Sequence, residues 1–256
     1  MERIIFLSSL PRAGNTLLGS ILNQNKKIKV SPNSITINIL SSLFNLKKTE
    51  LYQNFPNYRS IDNLIVSALP IYYQDWNAEL IIDRGPWGTP YNLSMIKNFI
   101  KKPKFILLLR PLVECVASFA KLQIESGEYT KQNVYKYINK IMGKEHGILG
   151  TALWSIDNII KNNEDYKIFY FKDLVKNTDM FLKEMSDFIG VNIKKPKTLE
   201  QFNINNIYYQ KDIIKNLHKI RTESIDHKQY DLEEYLTRDM IEYYKNFDFK
   251  IKNEKI

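Results

Sequence analysis

The sequence has 256 residues, of which 44% are hydrophobic and 25% charged, and its formal net charge is +9. That length and apolar content suffice for one substantial core, and no linker-like stretch divides it, so residues 1–256 are read as a single domain. The basic balance suits an anionic ligand without selecting one, while the lone Cys115 excludes an intramolecular disulfide and fits a reducing compartment, with cytoplasm as the expected location.

In chain order, Glu2 and Arg3 stand directly before a short apolar run that stops at Ser8, without the long apolar region and cleavage site of a signal peptide. The most apolar stretch elsewhere, Phe105 to Leu109, is strand-sized, so no bilayer-spanning segment is expected, although a membrane-anchored acceptor stays open. Short apolar runs predict strands near 3–8, 28–31, 79–83, 104–109 and 166–171. Helical periodicity predicts helices near 14–24, 35–46, 59–74, 88–100, 112–123, 131–161 and 177–189, with another near 231–245 in a polar, aromatic C-terminal part. This alternation is the pattern of a parallel sheet covered by helices on both faces. The clusters Lys26-Lys27-Ile28-Lys29 and Lys101-Lys102-Pro103-Lys104 come at or before strand starts, whereas ligands of open α/β sheets bind beyond the carboxyl ends. They read as solvated surface, and nucleic acid is not an expected partner.

The run Ile4-Ile5-Phe6-Leu7 leads through a polar turn, Ser8 to Thr16, into the apolar helical stretch Leu17-Leu18-Gly19-Ser20-Ile21-Leu22. A turn that ends at a helix N-terminus presents backbone N–H groups and the positive end of the helix dipole, and can hold phosphate or sulfate. It is a poor mononucleotide P-loop: Ser9 stands where the first glycine belongs and Asn15 where the lysine belongs. Arg12 supplies the positive charge from inside the turn instead.

Leu10-Pro11-Arg12-Ala13-Gly14-Asn15-Thr16-Leu17-Leu18 resembles the 5′-phosphosulfate-binding loop of sulfotransferases that use 3′-phosphoadenosine 5′-phosphosulfate (PAPS), with Asn15 where that family usually has Ser or Thr. A second element agrees. The apolar strand Phe105 to Leu109 is followed at once by Arg110, with Glu114 and Ser118 four and eight residues further on along a helix. It resembles the family's 3′-phosphate-binding element, with Pro111-Leu112 replacing the usual Asp-Pro. A guanidinium can grip a phosphate bidentately while the hydroxyl donates one more bond.

Weaker matches follow. Leu80-Ile81-Ile82-Asp83-Arg84-Gly85-Pro86-Trp87 resembles the Lys-x-Pro segment of tyrosylprotein and carbohydrate sulfotransferases, with Arg84 replacing the lysine; the competing reading makes Asp83 a Walker B magnesium ligand. Phe169-Tyr170-Phe171-Lys172-Asp173-Leu174-Val175 resembles the family's Tyr-Glu-Asp-Leu segment, with Tyr170 or Phe171 in the tyrosine's place, and Leu217-His218-Lys219-Ile220-Arg221 resembles the basic segment that closes over the cofactor. Trp154, on the long predicted helix, reads as core, with adenine stacking by Trp87 or Trp154 as the alternative.

The resemblance implies an α/β three-layer sandwich with a central parallel sheet, like the P-loop nucleotide hydrolases, acting on PAPS and leaving 3′-phosphoadenosine 5′-phosphate (PAP). The turn from Pro11 to Thr16 would hold the 5′-phosphosulfate through Arg12, the backbone N–H groups of Ala13, Gly14, Asn15 and Thr16, and the Asn15 and Thr16 side chains. Arg110 and Ser118 would hold the 3′-phosphate, with Tyr170 and Arg221 completing the cofactor site and no metal expected. Arg84 would stabilise the transferring sulfonate; Asp83 is the first candidate for general base and His218 the second. The acceptor, its class and the oligomeric state are not legible. A kinase using ATP and magnesium, and a non-catalytic protein binding anions or polysaccharide, stay open as rivals.

Overall fold

The computed structural model describes residues 3–55, 57–194 and 231–247. Strand β1 (Arg3–Leu7) leads through the polar turn into α1 (Asn15–Asn23), and β2 (Ile28–Val30) follows. Three helices come next, α2 (Thr36–Leu46), the short α3 (Glu50–Asn54) and α4 (Tyr58–Tyr72), before a 3-10 turn at Gln74–Trp76 and β3 (Leu80–Arg84). Then α5 (Pro90–Lys97) precedes β4 (Lys104–Leu109), and α6 (Leu112–Glu125), α7 (Tyr135–Met142) and α8 (Ile148–Lys161) separate it from β5 (Asp165–Tyr170). Helices α9 (Phe171–Lys176), α10 (Thr178–Ile189), α11 (Leu232–Tyr235) and α12 (Arg238–Lys245) complete the described chain.

The five strands pair in the order β2-β3-β1-β4-β5, every pair parallel. Their apolar runs have the composition of strands covered on both faces: Ile5 to Leu7, Leu80 to Ile82 and Phe105 to Leu109 are all buried. This is the α/β class, with a central parallel sheet between helices, that the alternation predicts. Parallel pairing puts every strand's carboxyl end on the same edge, with Leu7 opposite both Arg84 and Ile106, and Leu109 opposite Tyr170. From β1 the chain passes to β2 on one side, and from β4 to β5 on the other. Neighbouring strands that send their connections in opposite directions leave a crevice at their carboxyl ends, the usual ligand position in open α/β sheets. The turn after β1 and Arg110 after β4 meet there.

Three predicted elements differ. The expected helix over 131–161 is two helices, α7 and α8, because Gly143 takes a non-helical conformation (φ −56°, ψ 128°). Side chains at Gly147 and Gly150 would collide with the backbone of Ile141 to Gly143, so the break depends on those glycines. The helix expected over 231–245 divides at Leu236, where Thr237 caps α12 by accepting from the Met240 N–H. The third difference is at 171: the strand expected to reach Phe171 stops at Tyr170, and α9 begins.

Candidate active site

The turn between β1 and α1 is shaped by two positive φ angles, 68° at Arg12 and 93° at Gly14. A non-glycine residue in the left-handed region costs on the order of 1–2 kcal/mol, so Arg12 is held there by its surroundings. The brace is internal. Asn15 is buried and donates its amide to the Leu10 carbonyl at 2.8 Å, and Ser9 Oγ bonds Asn15 Oδ1. The Asn15 side chain, expected to donate to a phosphate, therefore secures the turn from within. The residues of the turn enter α1 with no side-chain cap on its first N–H groups, since Gly14 is the N-cap.

Glycine at 14 answers a second demand besides its φ. A Cβ there would overlap the ring of Phe171, which packs against the turn from the end of β5. The same ring lies under the Arg110 guanidinium, 4.8 Å from its carbon to the ring centroid. Phe171, not Tyr170, is thus the aromatic residue against the anion turn; Tyr170 is 46% exposed at the start of α9.

Arg110 joins the two elements that the sequence singled out. Its Nε donates to Glu114 Oε2 at 2.7 Å, one helical turn along α6, and its Nη1 donates to the Arg12 carbonyl at 3.2 Å. Arg12 in turn donates from Nε to Ser118 Oγ at 3.0 Å. Two guanidinium groups and a hydroxyl thus meet in one cluster at the crevice between β1 and β4, with Glu114 offsetting part of the charge. The cluster's chemistry is that of a site for a multiply charged anion. Beneath it the lone Cys115 is fully buried, and burial pushes its thiol up to about 12.

The solved structures that resemble this chain decide what kind of fold carries the cluster. A sulfotransferase domain from the curacin biosynthetic pathway is 17% identical, with a TM-score of 0.51 over 76% of each chain. The sulfotransferase domain of the Synechococcus PCC 7002 olefin synthase is 18% identical, with a TM-score of 0.52 over 96% of this chain and 94% of that one. A sulfotransferase from Alicyclobacillus acidocaldarius is 13% identical, with a TM-score of 0.53 over 77% of this chain and 84% of that one. The fold is a sulfotransferase fold. No protein-family model and no curated protein matches the sequence, so the likeness is one of architecture.

Within this sulfotransferase fold the segment after β3 departs from expectation. Asp83 was expected to face an acceptor as general base, yet it is 0% exposed. Its Oδ2 accepts from Thr36 Oγ1 at 2.6 Å, Tyr73 OH at 2.7 Å and Ser34 Oγ at 3.2 Å, and its Oδ1 accepts from Trp87 Nε1 at 3.2 Å. Burial holds its pKa above the usual carboxylate value, and the four donors oppose that rise. A carboxylate so enclosed presents no surface to an acceptor. Arg84 does reach the edge, where its backbone N–H donates to Ser31 Oγ at 2.8 Å and its Nη1 to the Pro32 carbonyl at 2.7 Å.

Trp87 is fully buried against Phe6, at 4.8 Å between ring centroids, which takes it out of consideration as an adenine platform. Trp154 lies on α8 with Lys144 Nζ 4.7 Å from its ring centroid. His218 and Arg221 lie outside the described residues. Among the described residues no helix is long and apolar enough to cross a membrane, and no group of three or more His, Cys, Asp or Glu is placed to hold a metal ion. Sequence reasoning did not find Thr36 and Tyr73 as partners of Asp83. Their separations of 47 and 10 residues follow no local spacing rule.

Proposed function

We propose that this chain transfers a sulfonate group from PAPS to a hydroxyl or amine acceptor. The single observation that carries the reading is the Arg12–Ser118–Arg110 cluster at the β1/β4 crevice of a sulfotransferase fold. One anion pocket would suit many nucleotides. Two adjoining cations, one inside the turn and one ending the next strand, suit a nucleotide phosphorylated at two separate positions.

The residues fit such a donor. Arg12 and the N–H groups at the start of α1 would hold the 5′-phosphosulfate, while Arg110 and Ser118 would hold the 3′-phosphate and so favour PAPS over ATP. Glu114 and Phe171 fix the Arg110 guanidinium from its edge and its face, so little side-chain freedom is lost when an anion arrives. PAPS supplies an activated sulfonate: one S–O bond to the 5′-phosphate breaks, one to the acceptor oxygen or nitrogen forms, and the acceptor's proton is released. Arg12 and Arg84 would offset the charge that builds on the transferring group and the leaving phosphate. No part in proton removal is proposed for Asp83.

Isothermal titration with PAP and with ADP plus magnesium tests the donor, and labelled PAPS offered with a panel of alcohols, phenols, sugars and amines tests the transfer. Preference for PAP and labelled product are expected. Preference for ADP would move the chain to the kinase reading, and PAP binding without product on any acceptor would favour a binding protein.

A further inference from the structure

Asp83 and Arg84 are adjacent at the end of β3, and both hold the same stretch of chain, the turn that leads from β2 into α2. Arg84 takes two positions of that turn, Ser31 through its backbone N–H and Pro32 through its guanidinium. Asp83 takes two positions further on: Thr36 Oγ1 donates to its Oδ2 at 2.6 Å, and the single Ser34 hydroxyl proton is shared between Oδ2 at 3.2 Å and Thr36 Oγ1 at 2.6 Å. The Tyr73 hydroxyl donates to the same Oδ2, and the Trp87 indole to Oδ1. An ionised carboxylate only accepts, and both oxygens of Asp83 are engaged, Oδ2 by the three hydroxyls and Oδ1 by the indole. Serine and threonine hydroxyls could serve other acceptors, and asparagine or glutamine could hold one or two of these donors; an acceptor-only group is what holds all four.

The consequence concerns the Pro32 carbonyl. It lies within a turn only five residues long between β2 and α2, pinned by Asp83 at Ser34 and Thr36. Its oxygen accepts from Arg84 Nη1 at 2.7 Å and so helps set the direction of that guanidinium. We infer that Asp83 is a positioning residue for Arg84: the buried carboxylate fixes the β2–α2 turn, and the turn's Pro32 carbonyl aims the Arg84 guanidinium at the reacting edge. The inference rests on the sulfonate-transfer reading for what Arg84 does, though not for how it is held. It also accounts for a costly feature, since a fully buried carboxylate is kept only where its partners are held in return.

The test combines a thermodynamic cycle with a spectroscopic measurement. Asp83→Asn is expected to lower kcat by about tenfold or more, with PAP affinity unchanged within about twofold, because Arg12, Arg110 and Ser118 are held by other elements, the turn after β1, the end of β4 and α6. On an Arg84→Ala background the same substitution is expected to change kcat by less than about twofold, since a positioning residue has nothing left to position. An equal effect in both backgrounds, or PAP affinity falling in step with kcat, would overturn the inference. Thr36→Val removes one donor and leaves the carboxylate, which guards against an Asp83→Asn chain that does not fold. In protein labelled with 15N at arginine Nε, the Arg84 resonance, assigned by its loss in Arg84→Ala, should shift or broaden in Thr36→Val while those of Arg12 and Arg110 stay in place. An unmoved Arg84 resonance defeats the inference whether or not the chain transfers sulfonate. Absence of any transfer by the wild-type chain, with that resonance moving as expected, defeats the functional reading alone.

Discussion

Arg12 Nε donates to Ser118 Oγ at 3.0 Å, linking the turn after β1 to the second turn of α6 across 106 residues of sequence. Ser118 is 3% exposed while Arg12 is half-buried, so the bond is partly shielded from water, and it brings a cation and a hydroxyl to one place. The Arg110 guanidinium joins the same group by donating from Nη1 to the Arg12 carbonyl at 3.2 Å. A ligand phosphate that takes over either bond meets donors already oriented, which lowers the ordering cost of binding.

Arg110→Ala is therefore expected to weaken PAP binding by about tenfold to a hundredfold, the worth of one or two hydrogen bonds to a charged group. Ser118→Ala should cost less, roughly two- to tenfold, because a single hydroxyl is lost. Both losses should exceed those for ADP, which lacks the second phosphate position. Titration calorimetry on the three proteins checks the ranking, and equal losses for PAP and ADP would remove Arg110 from 3′-phosphate recognition.

Gly14→Ala meets two obstacles at once, a φ of 93° and the ring of Phe171. The backbone penalty alone is of order 1–3 kcal/mol, and the ring must also move. A clear drop in Tm is expected, and adding Phe171→Ala should restore only the steric part, leaving the backbone part in place. Thermal unfolding of the single and double variants measures both, and an unchanged Tm in Gly14→Ala would contradict the geometry.

Much of this was legible in the sequence because it is local. The apolar runs locate β1, β3 and β4 to within about a residue or two, since a strand buried on both faces needs a nearly unbroken run. Arg12, Gly14, Arg110 and Ser118 are singled out by the resemblance of their segments to sulfotransferase loops, and turn and helix spacing place them toward the carboxyl edge. What escaped was long-range. Nothing near Asp83 in the chain announces that Thr36 and Tyr73 will donate to it, so a strand-ending carboxylate read as an exposed base. Phe171 escaped a firm assignment for a different reason: strand alternation predicts which of two neighbouring rings faces inward only once the strand's last residue is known, and β5 ends one residue early. The split of 131–161 depended on glycines whose close contacts are tertiary.

Cys115 tests the packing under the anion turn. It is 0% exposed, and burial pushes its thiol up to about 12. The thiolate is the reactive form, so the folded chain should resist alkylation near neutral pH and react fully once denatured. Mass spectrometry after a brief treatment with iodoacetamide distinguishes the two. Rapid labelling of folded protein would mean that α6 opens readily beneath Arg110.

Asp83 makes a prediction about pH whose sign follows from its burial. Desolvation raises its folded-state pKa above the ordinary 3.8, against the pull of the Thr36, Tyr73, Trp87 and Ser34 donors. The unfolded chain releases this proton near the ordinary value, and the folded chain only at a higher pH. Between the two the folded state binds more protons, so the contribution of Asp83 to stability is greatest below the unfolded value and falls as pH rises through the folded one. Asp83→Asn has no proton to lose there and carries a fixed penalty, because its amide cannot accept from all four donors. The stability of Asp83→Asn relative to wild type should thus improve steadily as pH rises from about 4, then level off above the folded pKa. Urea unfolding of both proteins across that range, with equal m-values required, gives the difference directly. Parallel stability curves would show that the donors cancel the desolvation, and a wild type that gains on the variant with rising pH would show that they exceed it.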